Sequence, residues 1–394
     1  MSPIPAESGA EWSILLTACS TLPGDAKKTR LRSLIGSPVR WEYLYALAER
    51  HGLQPLLYHA LNSLREAIPA EKMDALERIY QANLHKSLLL SRELIRILHH
   101  LREFDLEVLP YKGPALAEFL YSDIALRQAG DIDLLVRREE FSRVKKVLAK
   151  LEYVAQASLS GAEQRAYLKS GYECVFDGHA GRNVLEVQWA IQPRFYAVDF
   201  DMHGLFDRAI KIDIAGQTMK TLGAPDLFLI LAVHAAKHVW GRLIWICDLA
   251  RLMSLPSLDW DWIASQAKIL GVSRIVNVSM LLANRLLGTE LPARARNTFR
   301  ETKIDVRLVF EIQQQLLAES IFNVESMSYF RLMMDLRERL SDRLRFLTRL
   351  ALTPGPSEWK VVRLPSPLFP LYRVVRISRL LARVVHVQGS SKNG

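Results

Sequence analysis

Asp131 and Asp133 stand one residue apart at the head of an apolar run, Gly130-Asp-Ile-Asp-Leu-Leu-Val136, that reads as a strand. Side chains at i and i+2 of a strand leave the same face, so the two carboxylates share a side and Ile132 turns into the core. Paired carboxylates repel and lose hydration together, and a cation relieves both costs. Hard oxygen donors in this arrangement suit Mg2+ or Mn2+. Two solvated aspartates on a surface strand or turn are the plain alternative, and the spacing by itself does not separate the two.

The neighbours favour the metal pair. Leu106-Glu-Val-Leu-Pro-Tyr111 reads as a strand entering Lys112-Gly113-Pro114, and a helix is expected from Ala115 to Tyr121. Pro114 falls near its first turn, where a missing N–H does no harm. Strand, glycine turn and helix start form a phosphate-sized anion site, because free N–H groups and the helix dipole point outward there. Lys112 and Arg127 add positive charge beside the aspartates. A phosphate turn next to a metal-binding Asp-x-Asp is what metal-assisted nucleotidyl or phosphoryl transfer requires.

A two-metal site needs a third acid from a neighbouring strand. In Val184-Leu-Glu-Val-Gln-Trp-Ala-Ile191 the alternation puts Glu186 and Gln188 on one face and Leu185, Val187 and Trp189 on the other. Glu186 is the best candidate, although a glutamate beside a glutamine also suits a wet sheet surface. Asp177, Asp199, Asp201 and Asp213 are weaker rivals.

Tyr111-Lys-Gly-Pro-Ala-Leu-Ala-Glu-Phe-Leu-Tyr121, Arg127 and the Asp131/Asp133 strand together resemble a bacterial family of uncharacterised nucleotidyltransferases with the DNA polymerase β-like fold. Val184–Ile191, His234-Ala-Ala-Lys-His-Val-Trp240 and Trp245-Ile-Cys-Asp-Leu-Ala250 fit the same family, and the likeness covers roughly residues 10 to 385. Members are often associated with polysaccharide biosynthesis loci. Two positions depart from the pattern. Lys112-Gly113 stands where the superfamily usually has Gly-Ser or Gly-Gly, and Gln188 stands where a histidine is expected.

The resemblance implies transfer of a nucleoside monophosphate from an NTP to an acceptor hydroxyl or phosphate, with Mg2+ or Mn2+ as cofactor. Asp131, Asp133 and Glu186 are then the catalytic metal ligands, with Glu186 as the third acid. Lys112, Gly113, Arg127 and Lys237 bind the nucleotide. Lys237 lies in an otherwise apolar helix and needs an anion, which the triphosphate supplies; an ion pair to Asp226 or Asp248 is the alternative. His234 and His238 share a helix face, but the glutamate and third ligand of a zinc protease are missing. Two alternative functions fit the same sequence: a nucleotide- or partner-binding protein without turnover, and a toxin–antitoxin type enzyme acting on tRNA or protein.

Composition sets broad bounds. The chain has 394 residues, 49% hydrophobic and 24% charged, as expected for a globular protein of two or three domains. No stretch has the apolar length of a bilayer span, no secretory signal is evident, and three scattered cysteines give no disulfide framework, so a cytoplasmic setting is expected. The net charge of +10 is uneven: residues 331–394 hold 13 Lys and Arg against 4 Asp and Glu, leaving 39 against 38 elsewhere. A long basic nucleic-acid groove over the catalytic region is therefore not supported.

The expected fold is α+β, with a nucleotidyltransferase core at 106–222 between helical regions at 1–105 and 223–394. Strands are expected at 106–112, 131–137, 171–176, 182–190, 208–214 and 217–221, the last two joined by an Ala215-Gly216 hairpin. Helices are expected at 114–121 and 139–150, followed by a polar connection. Residues 71–104 form one long amphipathic helix with a stripe of Met73, Leu76, Ile79, Leu84, Leu88, Leu89, Leu94 and Leu98. Near the end, Arg373, Arg376, Arg379 and Arg383 form one side of a helix, with Val374, Ile377, Leu381, Val384 and Val385 opposite. Such a helix suits an anionic membrane surface or an acidic partner, although a terminal helix packed on the protein with its arginines in water is the simpler expectation.

Overall fold

The computed structural model of the chain describes residues 9–178, 181, 183–299, 301–317 and 326–380. Helices dominate both ends, and a five-stranded mixed sheet lies between them, so the fold is α+β. The strands are β1 (Val108–Pro110), β2 (Ile132–Val136), β3 (Val154–Ala155), β4 (Glu173–Asp177) and β5 (Val184–Gln188), in the spatial order β1-β2-β5-β4-β3. β2 and β5 run parallel; every other neighbouring pair in this sheet is antiparallel.

The strands at 208–214 and 217–221 pair as expected, but as a separate two-stranded sheet of β6 (Ile210–Ile214) and β7 (Gln217–Thr221). Ala215 and Gly216 both take positive φ, as a type I′ turn demands. The Thr221 hydroxyl donates to the Pro110 carbonyl at 2.6 Å and ties this hairpin to β1. The polar connection after residue 150 is more structured than expected. It contains β3 and a helix, Gly161–Ser170, opened by a capping box in which Ser160 and Glu163 satisfy each other's backbone N–H.

The sheet's two faces are unlike. Ile132, Leu134, Leu185 and Val187 cover one face and pack against Leu94 and Leu98 of the long helix and against Val144 and Leu148 of the Phe141–Lys150 helix. Leu109 and Leu135 on the other face join a larger apolar cluster that unites the N-terminal helices, through Leu15, Leu47 and Leu57, with Phe228, Trp240 and Leu282 of the C-terminal ones. The two helical regions thus share a core. The long helix, Ala70–Arg102, serves both clusters: Met73 and Leu76 enter the larger, while Leu90 to Leu101 line the sheet.

Its middle departs from the expected stripe. Leu88 and Leu89 are exposed, and Asn83, Ser87 and Ser91 take the buried positions. Asn83 donates to the Ala125 carbonyl at 2.8 Å, which satisfies a buried polar loop that a leucine would leave unpaired.

The C-terminal arginines also differ from expectation. Arg376 and Arg379 turn inward onto the buried carboxylate of Glu358, at 3.4 and 2.6 Å, and Val374 and Ile377 face out. Arg383, Leu381, Val384 and Val385 lie outside the described residues.

Candidate active site

β1 delivers the chain to Tyr111 and Lys112, and the Gly113–Tyr121 helix begins at once. Gly113 has φ +53°, and a Cβ there would lie 2.7 Å from the Asp131 carbonyl. The lysine turn can approach the aspartate strand this closely only with glycine at that point.

The register decides the rest. Asp133 on β2 sits directly opposite Glu186 on β5, and Leu135 opposite Gln188. Cross-strand partners share a face, so Asp133, Glu186 and Gln188 project together. Asp131, two residues before Asp133, stands at the mouth of the same face. On the other side of β5, Gln188 is opposite Glu173 of β4. Asp133 is buried, and Asp131, Glu186 and Glu173 are half-buried.

Charge crowding follows. Burial, together with the charges of Asp133 and Glu173, pushes the Glu186 carboxyl up to about 7. Burial and Asp133 likewise raise Asp131, against the pull of Lys112 and Arg127. Lys112 is the compensating cation within the cluster, its Nζ 3.1 Å from Asp133 Oδ1. Burial works against its charge, but the neighbouring carboxylates outweigh burial and raise the ammonium overall.

Gln188 is 1% exposed and far from a wet surface. Its amide donates to Asp133 Oδ1 at 3.3 Å and to Glu186 Oε2 at 3.1 Å, while its carbonyl accepts from the Tyr111 hydroxyl. An amide here holds two carboxylates that would otherwise repel. Among the described residues no three His, Cys, Asp or Glu side chains stand together as a ready-made metal centre. The donors themselves, carboxylate oxygens with surplus negative charge, suit a divalent cation in chemistry.

The other two expected nucleotide ligands are placed differently from each other. Arg127 is buried and bidentate with Asp248, at 3.0 Å through both Nε and Nη2, and the Tyr121 hydroxyl donates to the same carboxylate at 2.9 Å. Lys237 pairs with neither Asp226, which holds Arg208, nor Asp248. It donates to the Tyr172 hydroxyl at 3.3 Å and lies over that ring. Burial and the Lys112 charge lower its ammonium to about 8, with Glu173 and Glu186 opposing.

His234, His238 and Trp245 group their rings, each centroid pair about 5 Å apart. The Val239-Trp240 turn that ends this helix takes positive φ at two non-glycine residues, and Trp240 is pinned by its indole N–H to Ser279 at 3.0 Å.

Sequence reasoning did not reach Glu173, Tyr172 or the Gln188 bridge. The alternation of Tyr172-Glu-Cys-Val-Phe-Asp177 carries a signal for Glu173, but not for the strand it faces. Asp248 was visible only as a possible partner of Lys237.

The chain is thus an α+β protein of the nucleotidyltransferase kind. It belongs to the family described as uncharacterised nucleotidyltransferases, whose match spans residues 37–288. No curated protein matches it. Among solved structures it is similar to an antigenic nucleotidyltransferase-like protein from Paracoccidioides brasiliensis, at 13% identity and a TM-score of 0.32, over 55% of this chain and 97% of that one.

Proposed function

We propose that this protein is a metal-dependent nucleotidyltransferase that moves an NMP from an NTP to an acceptor hydroxyl or phosphate. The observation that carries the reading is the β2–β5 register, which puts Glu186 opposite Asp133 on the face that Asp131 and Lys112 border. Asp131, Asp133 and Glu186 would hold Mg2+ or Mn2+, which when bound supplies charge neutralisation and acidifies the attacking oxygen.

The chain's own residues do the remaining work. Lys112, at the start of the Gly113–Tyr121 helix, exchanges Asp133 for a phosphate oxygen, and the helix's free N–H groups face the same anion. Lys237 adds a second cation whose reduced proton affinity a phosphate restores. Gln188 keeps Asp133 and Glu186 aligned on their strands. Arg127 acts at one remove: paired with Asp248, it fixes the loop that leads into Asp131 and lends it positive potential.

A second reading has one observation in its favour. Lys112 and Gln188 already satisfy Asp133, as they would in a nucleotide-binding member without turnover. Calorimetric titration with each of the four NTPs, with and without Mg2+, tests the shared part of both readings. Metal-dependent heat, reduced by Lys237→Ala, is expected. No heat with any NTP in Mg2+ would contradict nucleotide binding altogether.

A further inference from the structure

Exposed large apolar side chains are concentrated in one part of this molecule. Of the 20 among the described residues, 14 lie between Ile304 and Ile377. Two sets are ordered. On the Leu340–Leu352 helix, Leu340, Leu344 and Leu347 recur at i, i+4 and i+7, with Leu340 70% exposed. Leu371, Val374 and Ile377 recur at three-residue intervals further along, with Val374 59% exposed. Arg376 Nε donates to the Leu350 carbonyl, so the two segments touch. Both stripes are spaced as helix faces that would normally be buried.

The charge around them is one-sided. From Trp359 to the last residue the sequence has no Asp or Glu and seven Lys and Arg. Arg376 and Arg379 are used internally on Glu358, but Lys360, Arg363 and Arg373 are exposed beside the apolar side chains. One exposed acid, Glu338, stands two residues before Leu340. Inward arginines neutralise a buried acid, which leaves the hydrophobic side of the segment to face outward.

We propose that this face docks on an anionic lipid bilayer. Basic side chains interleaved with protruding apolar ones are what an interface of phosphate headgroups and acyl chains recognises. A protein groove that receives a helix shelters its apolar walls, whereas Val361, at 61% exposure, and its neighbours stand clear of the surface. Three Pro residues (Pro365, Pro367 and Pro370) hold the connection as a short 3-10 helix, Ser366–Leu371, which carries Leu368 and Leu371.

The test is co-sedimentation of the full chain with vesicles of phosphatidylcholine alone and of phosphatidylcholine with phosphatidylglycerol. Binding to the anionic vesicles only is expected, weakening as salt rises. The double variant Val374→Asp/Ile377→Asp should weaken it at least about tenfold, and so should Arg363→Glu/Arg373→Glu, given the attraction each basic residue adds. Circular dichroism and melting should be unchanged, since all four positions are exposed. Absence of binding to anionic vesicles, or equal binding to both kinds, overturns the proposal. Binding to polyglutamate instead of vesicles also overturns it and assigns the face to an acidic protein.

Discussion

Asp133 meets three groups at once: the Lys112 ammonium, the Gln188 amide and, across the strand pair, Glu186. A cluster so balanced responds sharply to a change in any member. Arg127 behaves differently, because its partner Asp248 is fully buried. Truncating one side of a buried, bidentate ion pair leaves an uncompensated charge, which costs about 3–5 kcal/mol. Arg127→Ala should therefore lower the melting temperature strongly, whether or not nucleotide is present. An unchanged melting temperature would show that the pair with Asp248 contributes little to the fold. Lys237→Ala, by contrast, removes a hydrogen bond to the Tyr172 hydroxyl and a cation–π contact with its ring, leaves no buried charge unpaired, and should spare the fold while weakening NTP binding.

At the scale of elements, the turn between β1 and the Gly113–Tyr121 helix carries the tightest constraint. A methyl at Gly113 meets the Asp131 carbonyl at 2.7 Å and must also bear a left-handed backbone. Gly113→Ala should cost on the order of 1–3 kcal/mol and push the lysine turn off the aspartate strand. Loss of nucleotide affinity together with lowered stability is the expected result; full affinity would mean that the turn tolerates the shift. This turn, the Asp-x-Asp strand and the alternation around Glu186 were all legible in the sequence, because each rests on local spacing. Pairing was not. Nothing local says that Asp133 falls opposite Glu186, or that Glu173 falls opposite Gln188, since register is set by the whole sheet. The Gly161–Ser170 helix was missed although Ser160 and Glu163 spell a capping box, because no apolar periodicity follows them. The stripe of the long helix departs from the spacing at Leu88 and Leu89 because Asn83, Ser87 and Ser91 take the buried positions, Asn83 through a partner 42 residues away at Ala125.

At the scale of the whole molecule, the N- and C-terminal helices share a core, and His51 is one of the joints between them. Its Nδ1 accepts from the Leu243 N–H, and burial first, then Arg50 and Arg242, lower its pKa from 6.5 to about 4. The unfolded chain therefore binds this proton more tightly, so the His51 contribution to stability is full above pH 6.5 and falls as pH drops toward 4, by up to about 3 kcal/mol. Below that window Glu11 adds to the loss. Arg40 holds its carboxyl down at about 2, so that contribution is present above pH 4.5 and fades as pH falls to 2. Glu186, raised to about 7, acts with the opposite sign over the same range, so the comparison is with His51→Gln: denaturant midpoints between pH 7 and 4.5 should fall more steeply for the wild type than for the variant, and equal slopes would contradict a neutral, buried His51. The acidic face of the sheet is where we propose that turnover takes place. Asp133→Asn keeps the shape and removes one charge where transition-state stabilisation is worth several kcal/mol. Pyrophosphate release from NTPs in Mg2+, with cell extract supplying the acceptor, is the direct measurement. The wild-type protein should release pyrophosphate and Asp133→Asn should do so about a hundredfold more slowly or worse; equal rates from the two would contradict catalysis at this site.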